Sequence, residues 1–465
     1  MQTKLAGDIT LQSCELAKKF IEFNNQAVSP YHATQKLEEK LVNAGFHKLN
    51  ETEVWDLKNG EFYYLKRGYN SSLIAFGIPC KGINPTSTGF KMVGGHMDSP
   101  CIRVAPKFDG NCSGFEQVHI QTYGGGIWHT WLDRDLVLGG RVVIRTNKGL
   151  ETKLYRSRKA VAKIPSLAIH LTQDRETLKL NKETDLKPLI ATQLMKNLHK
   201  SDKSPASVIK GLICSNLGCL EEEIIDFDLC FGDANCTDTI GAYEEFISGP
   251  RLDSLFAAYS IIESLIDFKI NAFKYENSTD VNLVGIFNHE EIGSKSYDGA
   301  DSEFMSSVIS AIIDGTGNTK HSDLGIILRR SFLLSTDMAH SVHPNYAELH
   351  QINHQPKLNG GVVLKYNCNL RFSTDGISGA LGKYIAKKFD IPLTDYMIRQ
   401  DSPCGSTLGP LLASKLGCLS MDIGVSQLGM HSCRETAGVL DFYYYTQFLN
   451  GYFTTGLNEM MPQTI

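Results

Sequence analysis

Hydrophobic and polar positions change rhythm several times along the chain. Residues 13 to 46 predict two helices broken at Ser29-Pro30, where proline ends one helix and opens the next. Three short runs that read as strands follow, FYYLKR, SLIAFGI and KMVGG. From about 101 to 170 the texture is β-rich and punctuated by glycine, in IRVAPKF, VHIQTYGGG, LVLGGRVVIRT and LAIHL. Residues 151 to 210 are polar and rich in lysine, with a helix predicted near 205 to 218. After Gly249-Pro250 the pattern alternates. RLDSLFAAYSIIESLID predicts an amphipathic helix, VNLVGIF a buried strand, SEFMSSVISAII a helix and SFLLSTDMA a strand. Strands alternating with helices imply a mixed or parallel sheet covered by helices on both faces. The expected fold class is α/β, a mixed-sheet domain formed by residues 1–100 and 240–465 and interrupted by a β-rich insertion at 101–239.

Composition narrows the function classes. A chain of 465 residues is too long for one ordinary core and suggests about two or three domains. Its 42% hydrophobic and 21% charged residues are those of a soluble globular protein. A net charge of −5 argues against holding nucleic acid by bulk charge. The N-terminal stretch MQTKLAGDITLQSCELAKKF lacks the apolar segment of a signal peptide. No run approaches the ~18 apolar residues of a membrane span, so no membrane partner and a cytoplasmic location are expected. The 12 cysteines are scattered without a CxxC pair, and free thiols are the expectation.

Candidate chemistry collects where the predicted strands end. KMVGG runs into His96-Met97-Asp98, VNLVGIF into Glu290 and Glu291, SFLLS into Asp337, and CLSMDIGV is followed shortly by His431. Asp253 lies at the start of a helix, just past a Gly-Pro turn. Open α/β sheets build their sites at the carboxyl ends of strands. Taken singly, each residue has an ordinary reading: a surface pair for His96 and Asp98, a helix cap for Asp253, a turn residue for Asp337, a core histidine for His431. Together, two histidines and three carboxylates suit a dinuclear site for zinc or a similar ion, with metals ~3.5–4 Å apart and one carboxylate bridging. Asp98 is placed to hold the second ring N–H of His96. Neighbouring side chains in an extended segment diverge, so Glu291 is assigned to metal and Glu290 to the proton of a bridging water.

At these residues the sequence resembles the aspartyl aminopeptidase (aminopeptidase I) family of dinuclear zinc peptidases. The motifs are GGHMDSPCIRVAPK, YGGGIWHTWLDRDLVLGGRV, SGPRLDSL, FNHEEIGS, STDMAHSVHPNY and QLGMHSCRE, in order along the whole chain, with DSPCGSTLGPLLASKLG similar to a final βα segment. The resemblance implies one ion held by His96, Asp253 and Asp337, and a second by the bridging Asp253 with Glu291 and His431. It implies two zinc ions per subunit, with manganese or cobalt possible at an exchangeable site. Glu290 would be the general base, and Asp337, His340, Lys365, Phe372 and His431 would face substrate. Phe372 stands where relatives are expected to carry tyrosine. His170 would reach into a neighbouring subunit's site and steady the substrate carbonyl. The insertion would mediate dimerisation, and the dimers would build a tetrahedral homododecamer.

The implied activity is release of an unblocked N-terminal Asp or Glu from peptides, with Lys365 as the fixed cation that selects the acid. The first alternative is a relative preferring neutral residues such as leucine. Two others are an inactive assembly or cargo-binding protein, and another co-catalytic metallohydrolase such as a carboxypeptidase or N-deacylase.

Overall fold

The computed structural model describes residues 2–172, 174–199, 207–317 and 320–461. Two sheets organise it. The larger is mixed and runs His47–Lys48, Phe62–Arg67, Ser72–Gly77, Val281–Phe287, Phe90–His96, Phe332–Thr336, Leu419–Leu428, Glu435–Gly438, Phe246–Gly249, Asp238–Ile240, with Val362–Lys365 and Leu393–Tyr396 attached beside Leu419–Leu428. Its centre is four parallel strands, Val281–Phe287, Phe90–His96, Phe332–Thr336 and Leu419–Leu428. Because they are parallel, their carboxyl ends open on the same side, and that side carries the site.

Helices cover both faces, as the alternating pattern predicts. One face packs under Leu252–Ile270, Val439–Thr454, Pro30–Asn43 and Gly376–Lys388, in a core that includes Phe20, Phe256, Tyr259 and Phe442. The other packs under Phe304–Gly315 and Leu408–Leu416, around Phe76, Phe90, Phe287 and Ile312. The break at Ser29-Pro30 is as read: Ser29 caps the second helix and proline occupies its first turn. The helix Leu252–Ile270 departs from its amphipathic expectation. Leu252 through Ile262 are all buried, because the helix lies between the sheet and both the N-terminal and C-terminal helices. A stretch covered on several sides has no solvent face to mark with polar residues, and exposure returns only towards the helix end, at Asp267 and Ile270.

The second sheet closes on itself. Ile224–Asp233, Cys101–Cys112, Phe115–Tyr123, Leu189–Thr192, Ala162–Lys163 and Asp135–Thr146 pair in a ring, and the last pairs back to Ile224–Asp233. Closure removes the unpaired edges that a six-stranded sheet would expose. Gly149–Arg156 adds a hairpin arm to Asp135–Thr146. The interior is filled by Ile102, Leu136, Leu138, Val142, Leu229, Phe231 and their neighbours. LAIHL is not a strand of this barrel: Ile169–Leu171 form an exposed turn of 3-10 helix, apolar without being buried. The helix expected near 205 to 218 is found at Val208–Leu217, and positions 205 and 206 lie outside the described residues. All 12 cysteines are free thiols, of which Cys230 and Cys433 are buried. Among the described residues no helix is long and apolar enough to cross a membrane.

Candidate metal centre

Each ligand candidate is placed by the end of a strand or the start of a helix. His96 is the last residue of Phe90–His96, and Asp337 directly follows Phe332–Thr336. Past Val281–Phe287, His289 turns the chain in the left-handed region (φ 66°), and Glu290–Ile292 form a single 3-10 turn. The two glutamates therefore diverge because of a turn, and not because the segment is extended as the sequence reading supposed. Asp253 is no N-terminal cap either. Arg251 holds that position with φ 60°, and Asp253 (φ −84°, ψ 110°) interrupts the helical path one residue in.

These residues meet in one cavity of about 370 Å³, lined by His96, Asp253, Glu290, Glu291, Asp337, His340, Lys365, Phe372 and His431 together with Tyr396, Cys404 and Thr407. Donor atoms of His96, Asp253 and Glu291 lie within 4.8 Å of one another. Asp253 stands between the histidines: its Oδ1 is 3.5 Å from His96 Nε2 and its Oδ2 is 3.5 Å from His431 Nε2. Asp337 Oδ1 lies 3.4 Å from His96 Nε2, and Glu291 Oε2 lies 3.3 Å from His431 Nε2. The five sequence candidates thus fall into two groups that share one carboxylate.

Supporting residues hold this arrangement. His96 Nδ1 is 3.1 Å from the main-chain oxygen of Asp98 and 3.4 Å from its carboxylate. The expected Asp98 contact exists, with the main-chain oxygen nearer. The Asp98 carboxylate has a second task that sequence reasoning missed. It accepts the N–H of Glu290 at 3.0 Å and of Glu291 at 3.1 Å, so one buried acid fixes both glutamates. Its third partner is the Tyr123 hydroxyl at 2.6 Å, donated from the end of a barrel strand. Barrel residues also fix His431: Gly125 oxygen faces its Nδ1 at 3.1 Å, and Ile127 N–H donates to its carbonyl at 2.8 Å. Glu435, also missed, accepts the N–H of Asp253 at 2.9 Å and of His431 at 2.7 Å, tying the shared carboxylate to the last ligand. YGGGIW and QLGMHSCRE contain Tyr123 and Glu435, but nothing in either stretch says which polar residue turns inward.

The electrostatics describe a cluster in need of positive charge. Burial drives Glu290 well above the carboxylate range; His96 opposes this, while Asp337, Glu291 and Asp98 add to it. Burial likewise pushes Glu291 up to about 7, against the pull of His431. Asp253 moves the other way, because His431 and His96 outweigh its burial and hold it well below the usual range. Despite burial, the same carboxylates raise His431 to about 12. Asp253 Oδ1 and Glu291 Oε1 are buried without a hydrogen bond. Buried carboxylate oxygens without a hydrogen bond are costly unless a cation faces them. Two imidazoles, three carboxylates and orphaned oxygens make a donor set that fits zinc.

The substrate candidates divide. Lys365 is buried beneath the cavity, 3.3 Å from Asp337 Oδ2, and donates to Met338 oxygen at 2.6 Å. Its ammonium lies 5.3 Å from the Phe372 ring centroid. His340 lines the cavity, where desolvation and the charge of Lys365 hold it below its ordinary range. His170 is exposed on the barrel and is not among the residues lining the cavity of its own chain.

Relatives bear the same stamp. The profile of the family described as "Aminopeptidase I zinc metalloprotease (M18)" matches residues 23–453. The chain is 38% identical over 451 residues to an aspartyl aminopeptidase of Caenorhabditis elegans, covering 94% of each. Among solved structures it matches a chain of the complex of Ape4 and Nbr1 with a TM-score of 0.91 at 36% identity, covering 98% of this chain and 89% of that one. It also matches the S. cerevisiae mApe1 dodecamer, with a TM-score of 0.82 at 25% identity and 96% and 97% coverage. A near-complete match to the family profile and a fitting donor set lead to one conclusion: the chain belongs to the aminopeptidase I zinc metalloprotease family, M18, and is a metalloaminopeptidase similar to aspartyl aminopeptidases.

Proposed function

We propose that the protein removes an unblocked N-terminal Asp or Glu from peptides with two zinc ions per subunit. The observation that carries this reading is the Asp253 carboxylate, with one oxygen 3.5 Å from each histidine and Glu290 in the same cavity. His96, Asp253 and Asp337 would hold one ion, and Asp253, Glu291 and His431 the other, with manganese or cobalt able to replace zinc at the more exchangeable position. Bound there, the ions would lower the pKa of water towards ~7 and polarise the scissile carbonyl. Glu290, fixed through Asp98, takes the proton of the attacking water and passes it to the leaving amine. Asp337, His340, Lys365, Phe372 and His431 shape the place of the N-terminal residue. His170 would serve a neighbouring subunit's site rather than its own.

Lys365 supplies the positive charge that favours an acidic side chain. A preference for neutral residues has support of its own: two of the ammonium's three donors are directed at Asp337 and Met338, and Phe372 offers no hydroxyl. Initial rates on aspartyl, glutamyl and leucyl substrates decide between them. Acid first supports the reading, and leucine first replaces it. The barrel is the proposed dimerisation unit, residues 101–239 within a metallopeptidase domain of 1–100 and 240–465. A tetrahedral homododecamer in the cytoplasm is the proposed assembly, by likeness to the mApe1 dodecamer.

A further inference from the structure

We infer that Arg371 builds a second anion subsite beside the catalytic cavity, which takes a carboxylate of the peptide beyond the bond to be cut. This rests on the aminopeptidase reading. A polar basin of about 430 Å³ adjoins the catalytic cavity, and Ile398, Cys404 and Ser406 line both. Two guanidiniums belong to the basin. Arg399 is committed, donating to both Asp401 carboxylate oxygens at 2.9 and 2.6 Å and to the Glu348 carbonyl at 2.9 Å. Arg371 is exposed, and its guanidinium has no hydrogen bond or ion pair with any described residue.

Its backbone is nonetheless pinned to the catalytic wall. The Arg371 carbonyl accepts the Thr407 N–H at 3.2 Å and the Ser406 hydroxyl at 3.4 Å, and both residues line the catalytic cavity. A cation is thus anchored at the rim with no anion among the described residues to satisfy it, and a planar guanidinium matches a carboxylate with two parallel hydrogen bonds. Burial separates its role from that of Lys365. Lys365 is 2% exposed and sits inside, where the N-terminal residue must lie for its carbonyl to reach Glu290. Arg371 is outside, in the basin that joins this cavity through Ile398, Cys404 and Ser406, and the inference runs the rest of an extended peptide into that basin at ~3.5 Å per residue. The carboxylate is either the C-terminus of a short peptide or an acidic side chain in a longer one.

Three substrates separate these sources, Asp-Ala-Ala as free acid, Asp-Ala-Ala amide and Asp-Glu-Ala amide, each with wild type, R371Q and R371K, and Leu-Ala-Ala amide is the control for the first residue. The expected result is a KM about twofold to fivefold lower for at least one carboxylate-bearing peptide than for Asp-Ala-Ala amide. The peptide that gains identifies the source. That gap should close in R371Q, persist in part in R371K, and shrink in about 0.5 M salt, with kcat on Asp-Ala-Ala amide unchanged. Cleavage with no gap in wild type, or a gap that R371Q retains, overturns the inference alone. So does an R371Q effect confined to the choice between N-terminal Asp and Leu, which would give Arg371 to the first residue. A wild type inert on all three and on Leu-Ala-Ala amide overturns the aminopeptidase reading and this inference with it, whereas one active on the leucyl peptide alone replaces the acidic preference and moves the same comparison to leucyl peptides.

Discussion

Glu290 and Glu291 are neighbours in sequence with different work, and the difference is set by their surroundings. Glu291 faces His431 at 3.3 Å, within the group sharing Asp253, whereas Glu290 lines the cavity without a side-chain hydrogen bond to either histidine. Glu290→Gln keeps the size of the side chain and removes the base. Turnover should fall about 10²- to 10⁴-fold while zinc content by elemental analysis stays at the wild-type level. A variant that lost metal in proportion to activity would make Glu290 a ligand instead. The two glutamates were legible because a buried strand ending in two carboxylates demands compensation, whatever the fold. Asp98 was legible only in part: His96-x-Asp98 spacing suggested the imidazole contact, but the two backbone N–H groups it accepts come from a turn about 190 residues away.

At the scale of elements, the parallel centre of the sheet was readable from apolar runs that end in polar ligands. The barrel's closure was not. Its ring is completed by the two-residue strand Ala162–Lys163, too short to leave a period in the sequence. Nor was the barrel's hold on the metal centre. Tyr123→Phe removes only the hydroxyl donated to Asp98, and this single loss should lower kcat about tenfold with little change in the unfolding midpoint. Equal kcat would show that Asp98 needs no help from the barrel.

Lys91 tests the sheet itself. It is buried in Phe90–His96, donates to the carbonyls of Phe453 and Thr455, and burial lowers it to about 8 against the pull of Asp280. Between that value and the ordinary 10.5, the unfolded chain binds a proton that the folded chain lacks. Stability from this group therefore rises with pH across that window, by on the order of 3 kcal/mol when the transition is complete. Denaturant unfolding at pH 8 and pH 10 should show wild type gaining relative to Lys91→Met. Parallel changes in the two proteins would contradict the shift.

For the whole molecule, His170 separates a site complete within one chain from a site completed by assembly. On the trans reading, His170→Ala and Glu290→Gln are each nearly inactive, yet a mixture reassembled from dissociated subunits regains part of the wild-type rate. There, a Glu290→Gln subunit would lend His170 to a neighbour that keeps Glu290. No recovery in a verified mixed assembly would confine His170 to the surface. Sequence could nominate this residue only by resemblance, since a contact between subunits leaves no trace in one chain's periodicity.

The central claim is metal-dependent removal of a free N-terminal residue. The most direct measurement is the initial rate on aspartyl, leucyl and N-acetyl-aspartyl peptides, before chelation, after it, and after zinc is restored. The account predicts cleavage of the aspartyl peptide fastest, refusal of the blocked one, loss of all activity on chelation and its return with zinc. Cleavage of the acetylated peptide, or an undiminished rate after verified removal of metal, would contradict it.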